Sequence, residues 1–130
     1  FKSELLKLPK FGCVNLHCSL LPKYAGLLPS FWTLYEKAEM LGATVHEMDD
    51  KIDNGAILGQ IKVSKPSDLS MFNVIRVTKR AGGHLMVSII GEILRGDTIA
   101  QINSVGKEDY YSWPTIDQIK EFRRSGGRLI

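Results

Sequence analysis

The chain has 130 residues, 44% of them hydrophobic and 24% charged, with a formal net charge of +3. That composition suits one domain able to bury a core without staples. No apolar run approaches the roughly 20 residues that span a bilayer, no signal-peptide pattern is present, and Arg123, Arg124 and Arg128 make only a mild basic cluster that reads as a solvated tail, not a nucleic-acid stripe.

In chain order, residues 2–9 are expected to form a short helix stopped by Pro9. Gly12 opens the alternating stretch CVNLHCS, in which Val14 and Leu16 point one way and Asn15 and His17 the other; this reads as a strand with one apolar and one polar face. Cys13 and Cys18, the only cysteines, read as buried or half-buried thiols in a reducing compartment, so the expected location is cytoplasmic. Residues 19–29 carry Pro22, Gly26 and Pro29 and form a structured loop. Over residues 30–40, Phe31, Leu34, Tyr35 and Ala38 share a helical face, with Ser30 as the N-cap and Gly42 as the stop.

Residues 43–49 (ATVHEMD) then read as a second strand, 49–55 (DDKIDNG) as a loop, and 56–64 (AILGQIKVS) as a third strand. Pro66 to Asp68 introduce a long helix over about residues 69–94, with Ile75, Ala81, Leu85, Ile89 and Ile93 near helical spacing. Residues 99–104 are expected to form a short strand, and Pro114-Thr115 to precede a last helix over about 115–124 with Ile116, Ile119 and Phe122 as its apolar face. Mixing strands and helices in this order argues for an α/β sandwich.

Asn15 and His17 stand at i and i+2 on a strand, so their side chains leave on one face. Ligands of open α/β sheets bind beyond the carboxyl ends of strands. A carboxamide and an imidazole placed there can act together on a carbonyl: the amide donates to an oxygen gaining negative charge, and the imidazole donates or moves a proton. Asp53 closes the second loop before Asn54-Gly55, where Gly55 permits a tight turn. Folded back toward His17, Asp53 would fix the imidazole tautomer and favour its protonated form. Each residue alone also has a plain structural reading, as a satisfied strand histidine or a turn-capping aspartate.

The run Asn15-Leu16-His17-Cys18-Ser19-Leu20-Leu21-Pro22-Lys23-Tyr24 resembles the N-x-H-x-S-L-L-P-x-Y signature of the folate-dependent formyltransferase family. Gly42-Ala43-Thr44-Val45-His46, then Met48-Asp49, Asp53, Gly55 and Ile57-Leu58, resemble its second signature, in the right order and at the right separation. The likeness runs from residue 1 to about residue 96, and more loosely beyond. It implies an α/β fold: the C-terminal half of a Rossmann-like formyltransferase domain, with a mixed sheet and a long packed helix. Residues 1–130 would then be a catalytic-domain fragment with signatures at 15–24 and 42–58 and a tail at 105–130.

The resemblance further implies 10-formyltetrahydrofolate as formyl donor and a primary amine as acceptor. Asn15, His17 and Asp53 would be catalytic, with Asn15 and His17 stabilising the oxyanion and Asp53 assisting proton transfer. Met48, Asp49, Asp50 and Asp53 would line the folate's pterin pocket. Ser19, Leu20, Leu21, Pro22, Tyr24 and Gly26 would shape the substrate loop, while His46 is evenly divided between a site role and a structural one. Many members carry Tyr-Arg-Gly where this chain has Tyr24-Ala25-Gly26, on a loop expected to face the acceptor. With the apolar run Leu27-Leu28-Pro29, this favours a small amine, an amino sugar on a nucleotide, over initiator tRNA, so nucleic acid is a partner only if the acceptor is tRNA.

Three rival readings stand against this one. Cys13, His17, Cys18 and His46 match no zinc spacing, and Asp49, Asp50 and Asp53 match no EF-hand loop, so no metal is expected. Ser19 has no G-x-S-x-G elbow around it. A non-catalytic module with this fold would not need Asn15, His17 and Asp53 together. Because residue 1 is Phe and the opening FKSELLKLPKFG reads like the middle of a protein, the chain is expected to be a fragment whose sheet edge invites self-association.

Overall fold

Alternation of apolar and polar residues sets the centre of the fold. The computed structural model describes residues 3–130; the part of the first predicted helix that falls on Lys2 lies outside the described residues. The first helix, α1, is shorter than expected, Ser3–Leu6. Three strands then make an antiparallel sheet in the order β1-β3-β4: β1 is Val14–His17, β3 is Leu41–Glu47 and β4 is Ile57–Val63. A two-residue strand β2, Ala25–Gly26, runs parallel to β5, Tyr110–Tyr111, in a separate pair.

Pairing places Asn15 opposite His46, His17 opposite Thr44, and Thr44 opposite Gln60. Side chains opposite one another share a face, so Asn15, His17, Thr44, His46 and Gln60 form one polar surface. The other face carries Val14, Leu16 and Val45. Against it packs α3, Met71–Arg95, through Leu85, Met86, Ile89 and Ile93, with Leu58 in the same cluster. A register shift between Val45 and His46 lets the neighbours Leu58 and Gly59 both face α3, while Ile57 serves the opposite side.

Ser70 caps α3, its hydroxyl accepting from the Asn73 N–H at 3.3 Å. The inner stripe of this helix includes Val74, Thr78 and Gly82, which the apolar pattern missed because two of the three are small or polar. Gly82 lies against the sheet so closely that a Cβ there would meet Leu16 at 2.5 Å and Ala43 at 2.9 Å. Helix–sheet packing at this distance needs glycine.

The helix after the first loop differs from expectation at both ends. α2 is Pro29–Tyr35; its N-cap is Leu28, and Ser30 lies inside the helix and is buried. Pro29 is suited to the first helical position, where no N–H is needed. Ala38 falls outside the helix, and Gly42 belongs to β3 instead of stopping it. Phe31 and Trp32 of α2 pack on Phe122 of α4, Ile116–Arg124. Ile116 is exposed, so the apolar face of α4 is Ile119 and Phe122. Residues 99–104 form no strand: only Gln101 bridges to Ile57. Among the described residues no helix is long and apolar enough to cross a membrane.

Candidate active site

The polar face of the sheet becomes a site because two loops fold over it. The first, after β1, is braced from below by β3. Thr44 Oγ1 donates to the Ser19 carbonyl at 2.7 Å and accepts from the Leu21 N–H at 3.0 Å. Gln60 Nε2 donates to the Leu21 carbonyl at 2.8 Å and to Thr44 Oγ1 at 2.9 Å. Ser19 Oγ closes the turn by donating to the Lys23 carbonyl at 2.8 Å. Ser19 and Leu21 are therefore buried builders of the loop. Leu20, Lys23 and Tyr24 line a cavity of about 210 Å³ with Thr33, Met40 and Gly42. Pro22 follows a cis peptide bond, and Tyr24 adopts φ +60 before Gly26 at φ +97.

The loop does not present position 25 to an acceptor. Ala25 is fully buried, packed with Leu21, Ile57 and Val105. Ala25, which stands where many members of the family carry arginine, is turned inward by the β2–β5 pairing.

The second loop carries Asp53 at φ +50, a conformation that L residues seldom adopt. Gly55 makes the turn possible, since a Cβ there would run into the Glu47 carbonyl. Asp53 then lies over the sheet. Its Oδ2 accepts from the Gly26 N–H at 2.8 Å and stands 3.4 Å from His17 Nδ1. Its Oδ1 is 3.5 Å from both Asn15 Nδ2 and His46 Nε2. Asn15 Nδ2 also meets His46 Nε2 at 3.2 Å, while His46 Nδ1 lies 2.6 Å from the Glu47 carbonyl. In the neutral ring Nδ1–H donates to that carbonyl and Nε2 is left to accept from Asn15 or, on gaining a proton, to donate to Asp53. The structure thus brings together Asn15, His17 and Asp53, with His46 at the centre of the same network.

Burial lowers the His17 pKa below its ordinary value, against the upward pull of Asp53 and the Tyr24 carbonyl. Asp53 favours the protonated form of His17 as expected, but desolvation outweighs the carboxylate and the net shift is downward. His17 Nε2 lies 2.8 Å from the Tyr24 carbonyl. Both ring nitrogens therefore face acceptors, while a neutral ring carries one N–H. Gaining a second proton would satisfy both, so the geometry suits a ring that takes up a proton transiently. Burial pushes the Asp53 carboxyl up, but His46, the charge His17 carries at low pH and the Gly26 N–H outweigh it and leave its pKa lowered.

Met48, Asp49, Asp50 and Asp53 line one cavity of about 180 Å³ with Asn15, His46, Lys51 and Ile52. On the other side of the network, His17 borders an apolar cavity of about 280 Å³ that includes Leu28, Phe31, Met71 and Ile75. Cys13 and Cys18 are half-buried free thiols, and Cys18 lies toward Thr78 of α3, away from the polar face. Two contributors escaped the sequence reading. Gln60 looks like an exposed polar position of an alternating strand, and Asn103 lies in a stretch without a motif. Asn103 Nδ2 donates to the carbonyls of Asp53 and Gly55 at 2.8 and 3.1 Å.

This sheet, helix and two-loop site define a formyl transferase fold, and the chain belongs to the formyl transferase family, whose model matches residues 1–90. It is similar to the methionyl-tRNA formyltransferase of Lachnospira eligens, 32% identical over 98% of this chain and 38% of that protein. Among solved structures it is similar to a 4-N formyltransferase from Francisella tularensis, with a TM-score of 0.75, 27% identity, and coverage of 94% of this chain and 48% of that one. It also resembles WlaRD, a sugar 3N-formyl transferase crystallised in the presence of dTDP and 5-N-formyl-THF, with a TM-score of 0.68, 25% identity, and coverage of 76% and 36%. The chain spans about two fifths of the length of the curated relatives it matches.

Proposed function

We propose that this chain carries the formyl-transfer site of a 10-formyltetrahydrofolate-dependent formyltransferase. The observation that carries the reading is the meeting of Asn15, His17 and Asp53 across two loops, with Asp53 3.4 Å from His17. The folate supplies the formyl group: the acceptor amine attacks the formyl carbon, the bond to N10 breaks, and the proton lost by the amine ends on N10. The loop of residues 48–53 fits a pterin, since its carboxylates and backbone carbonyls complement ring N–H groups.

Asn15 acts as the donor to the oxygen that gains negative charge. Of its two contacts, the one with Asp53, at 3.5 Å, is at the limit of a hydrogen bond and is the one it gives up. His17 shares this role when its Nε2–H turns from the Tyr24 carbonyl to the oxygen while Asp53 accepts from Nδ1–H. Asp53, ionised at neutral pH, receives the amine proton directly or through His17.

The acceptor is a small primary amine, and an amino sugar on a nucleotide is the reading supported by the sugar formyltransferases of similar structure. A methionyl-tRNA acceptor is the second reading, supported by the relative that matches 98% of the chain. The outer edge of β1, unpaired among the described residues, is where this chain would self-associate. The free thiols fit a reducing, cytoplasmic setting.

The test is formyl transfer from 10-formyltetrahydrofolate to amino-sugar nucleotides and to methionyl-tRNA, using the full-length protein. Transfer to the sugar amine is expected. Transfer only to tRNA selects the second reading, and transfer to neither sinks the function.

A further inference from the structure

Residues 99–113 lie beyond the stretch matched by the family model, which ends at residue 90, yet they are bonded to both loops of the site. On the Asp53 side, Asn103 Nδ2 donates to the Asp53 and Gly55 carbonyls, and the Val105 N–H donates to Asn54 Oδ1 at 3.3 Å. Gln101 exchanges backbone hydrogen bonds of 2.8 and 2.9 Å with Ile57, just after the loop. On the other side, Tyr110 and Tyr111 pair with Ala25 and Gly26, and the Tyr111 carbonyl accepts from the Leu27 N–H at 2.8 Å. This is the loop whose Tyr24 carbonyl meets His17 and whose Gly26 N–H meets Asp53.

Within this strap Asn103 has an unusual disposition. It is 8% exposed, and its Oδ1 is buried with no partner among the described residues. A buried acceptor left unpaired works against stability. The polar contacts of the side chain are confined to one NH₂ group spanning two carbonyls of the turn that carries Asp53. That turn needs holding, because Asp53 has φ +50 and relaxing it would swing the carboxylate away from His17.

We propose that Asn103 is a positioning residue for Asp53: by capturing the carbonyls of Asp53 and Gly55, it aims the carboxylate at His17 and His46. This rests on the formyl-transfer reading above for its effect on rate, but not for its effect on geometry. Asn103→Leu removes both donations with a branched side chain of the same heavy-atom count. Asn103→Ala removes both donations without adding bulk or charge, which serves if the leucine variant does not fold.

The full-length protein is compared with both variants by circular dichroism, steady-state kinetics and NMR titration of the His17 imidazole. In a folded variant kcat is expected to fall about 10–100-fold while KM for donor and acceptor changes little, as for other supporting shells. The groups facing His17 are Asp53, His46 and the Tyr24 carbonyl, with Lys79 on the same cavity. Displacing Asp53 removes an upward pull, so His17 is expected to titrate at lower pH in the variant. An unchanged His17 titration in a folded variant overturns the proposal whatever the rate does. So does unfolding of both variants, which would assign Asn103 to the fold alone. A wild-type protein that transfers no formyl group refutes the proposed function, and the titration still decides Asn103.

Discussion

On the face of the sheet turned to α3, Val45 and Ile89 are 0% and 3% exposed; on the opposite face, Thr44, His46 and His17 are 0%, 2% and 5% exposed. Burial is equal and its chemistry is not. The α3 face is held by apolar contact, which any well-shaped side chain can supply. The other face buries ring nitrogens, hydroxyls and a carboxylate, and each needs a partner at hydrogen-bond distance. Those partners arrive from loops: Tyr24 and Gly26 after β1, Asp53 before β4, and Asn103 beyond α3. One face carries stability and the other is specified atom by atom, so substitutions on the two should separate in what they damage.

Asp53→Asn should give the largest effect. It keeps volume and removes the charge, and loss of an acid–base group lowers kcat by about 10²–10⁴-fold. Circular dichroism should show that the fold survives; near wild-type turnover would remove Asp53 from the chemistry. Ile89→Ala is the counterpart on the α3 face. It should cost about 2–5 kcal/mol in urea unfolding, with kcat per folded molecule unchanged. A large loss of kcat there would mean that the faces are coupled and the comparison fails.

The pH dependence of stability sharpens the contrast. His17 titrates below its ordinary 6.5 when folded, because of burial, so the unfolded chain takes the proton first. Its contribution is complete above about pH 6.5 and is lost as pH falls from there through the folded value. Asp53 is held below its ordinary 3.8 despite burial, so its contribution is complete above that and is lost as pH falls through its own folded value. Thermal melts across this range should show two declines. His17→Gln should remove the upper one, whereas Ile89→Ala should leave both. The smallest effect belongs to the cap of α3: Ser70→Ala should lower stability by about 1 kcal/mol in the same unfolding assay, without altering kcat.

The α3 face was legible in the sequence because it is periodic: alternation marks β1, β3 and β4, and helical spacing marks most of α3. Local exceptions mark where tertiary contact overrides pattern. Leu28 in a left-handed conformation starts α2 ahead of the expected Ser30, and Gly42 serves close strand packing instead of a helix stop. Asn15 and His17 were readable because one strand presents both. That Asp53 reaches them depends on its turn, and only the resemblance to a family pointed there. Asn103 and Gln60 were not readable at all. The backbone carbonyls they hold lie 39 to 50 residues away, and no local pattern encodes such a bond.

The strap of residues 99–113 also bears on the order in which the molecule is assembled. Strands β1, β3 and β4 and the helix α3 are complete by residue 95, whereas the bonds that lock the two loops span 50 residues for Asn103 to Asp53 and 84 for Leu27 to Tyr111. Loop closure over such separations comes late in folding. On a ribosome adding about 5–20 residues per second, the framework can collapse before the strap has left the exit tunnel. A nascent chain stalled where α3 has left the tunnel and residues 99–113 have not should therefore protect the sheet amides from exchange while leaving the Asp53 turn open.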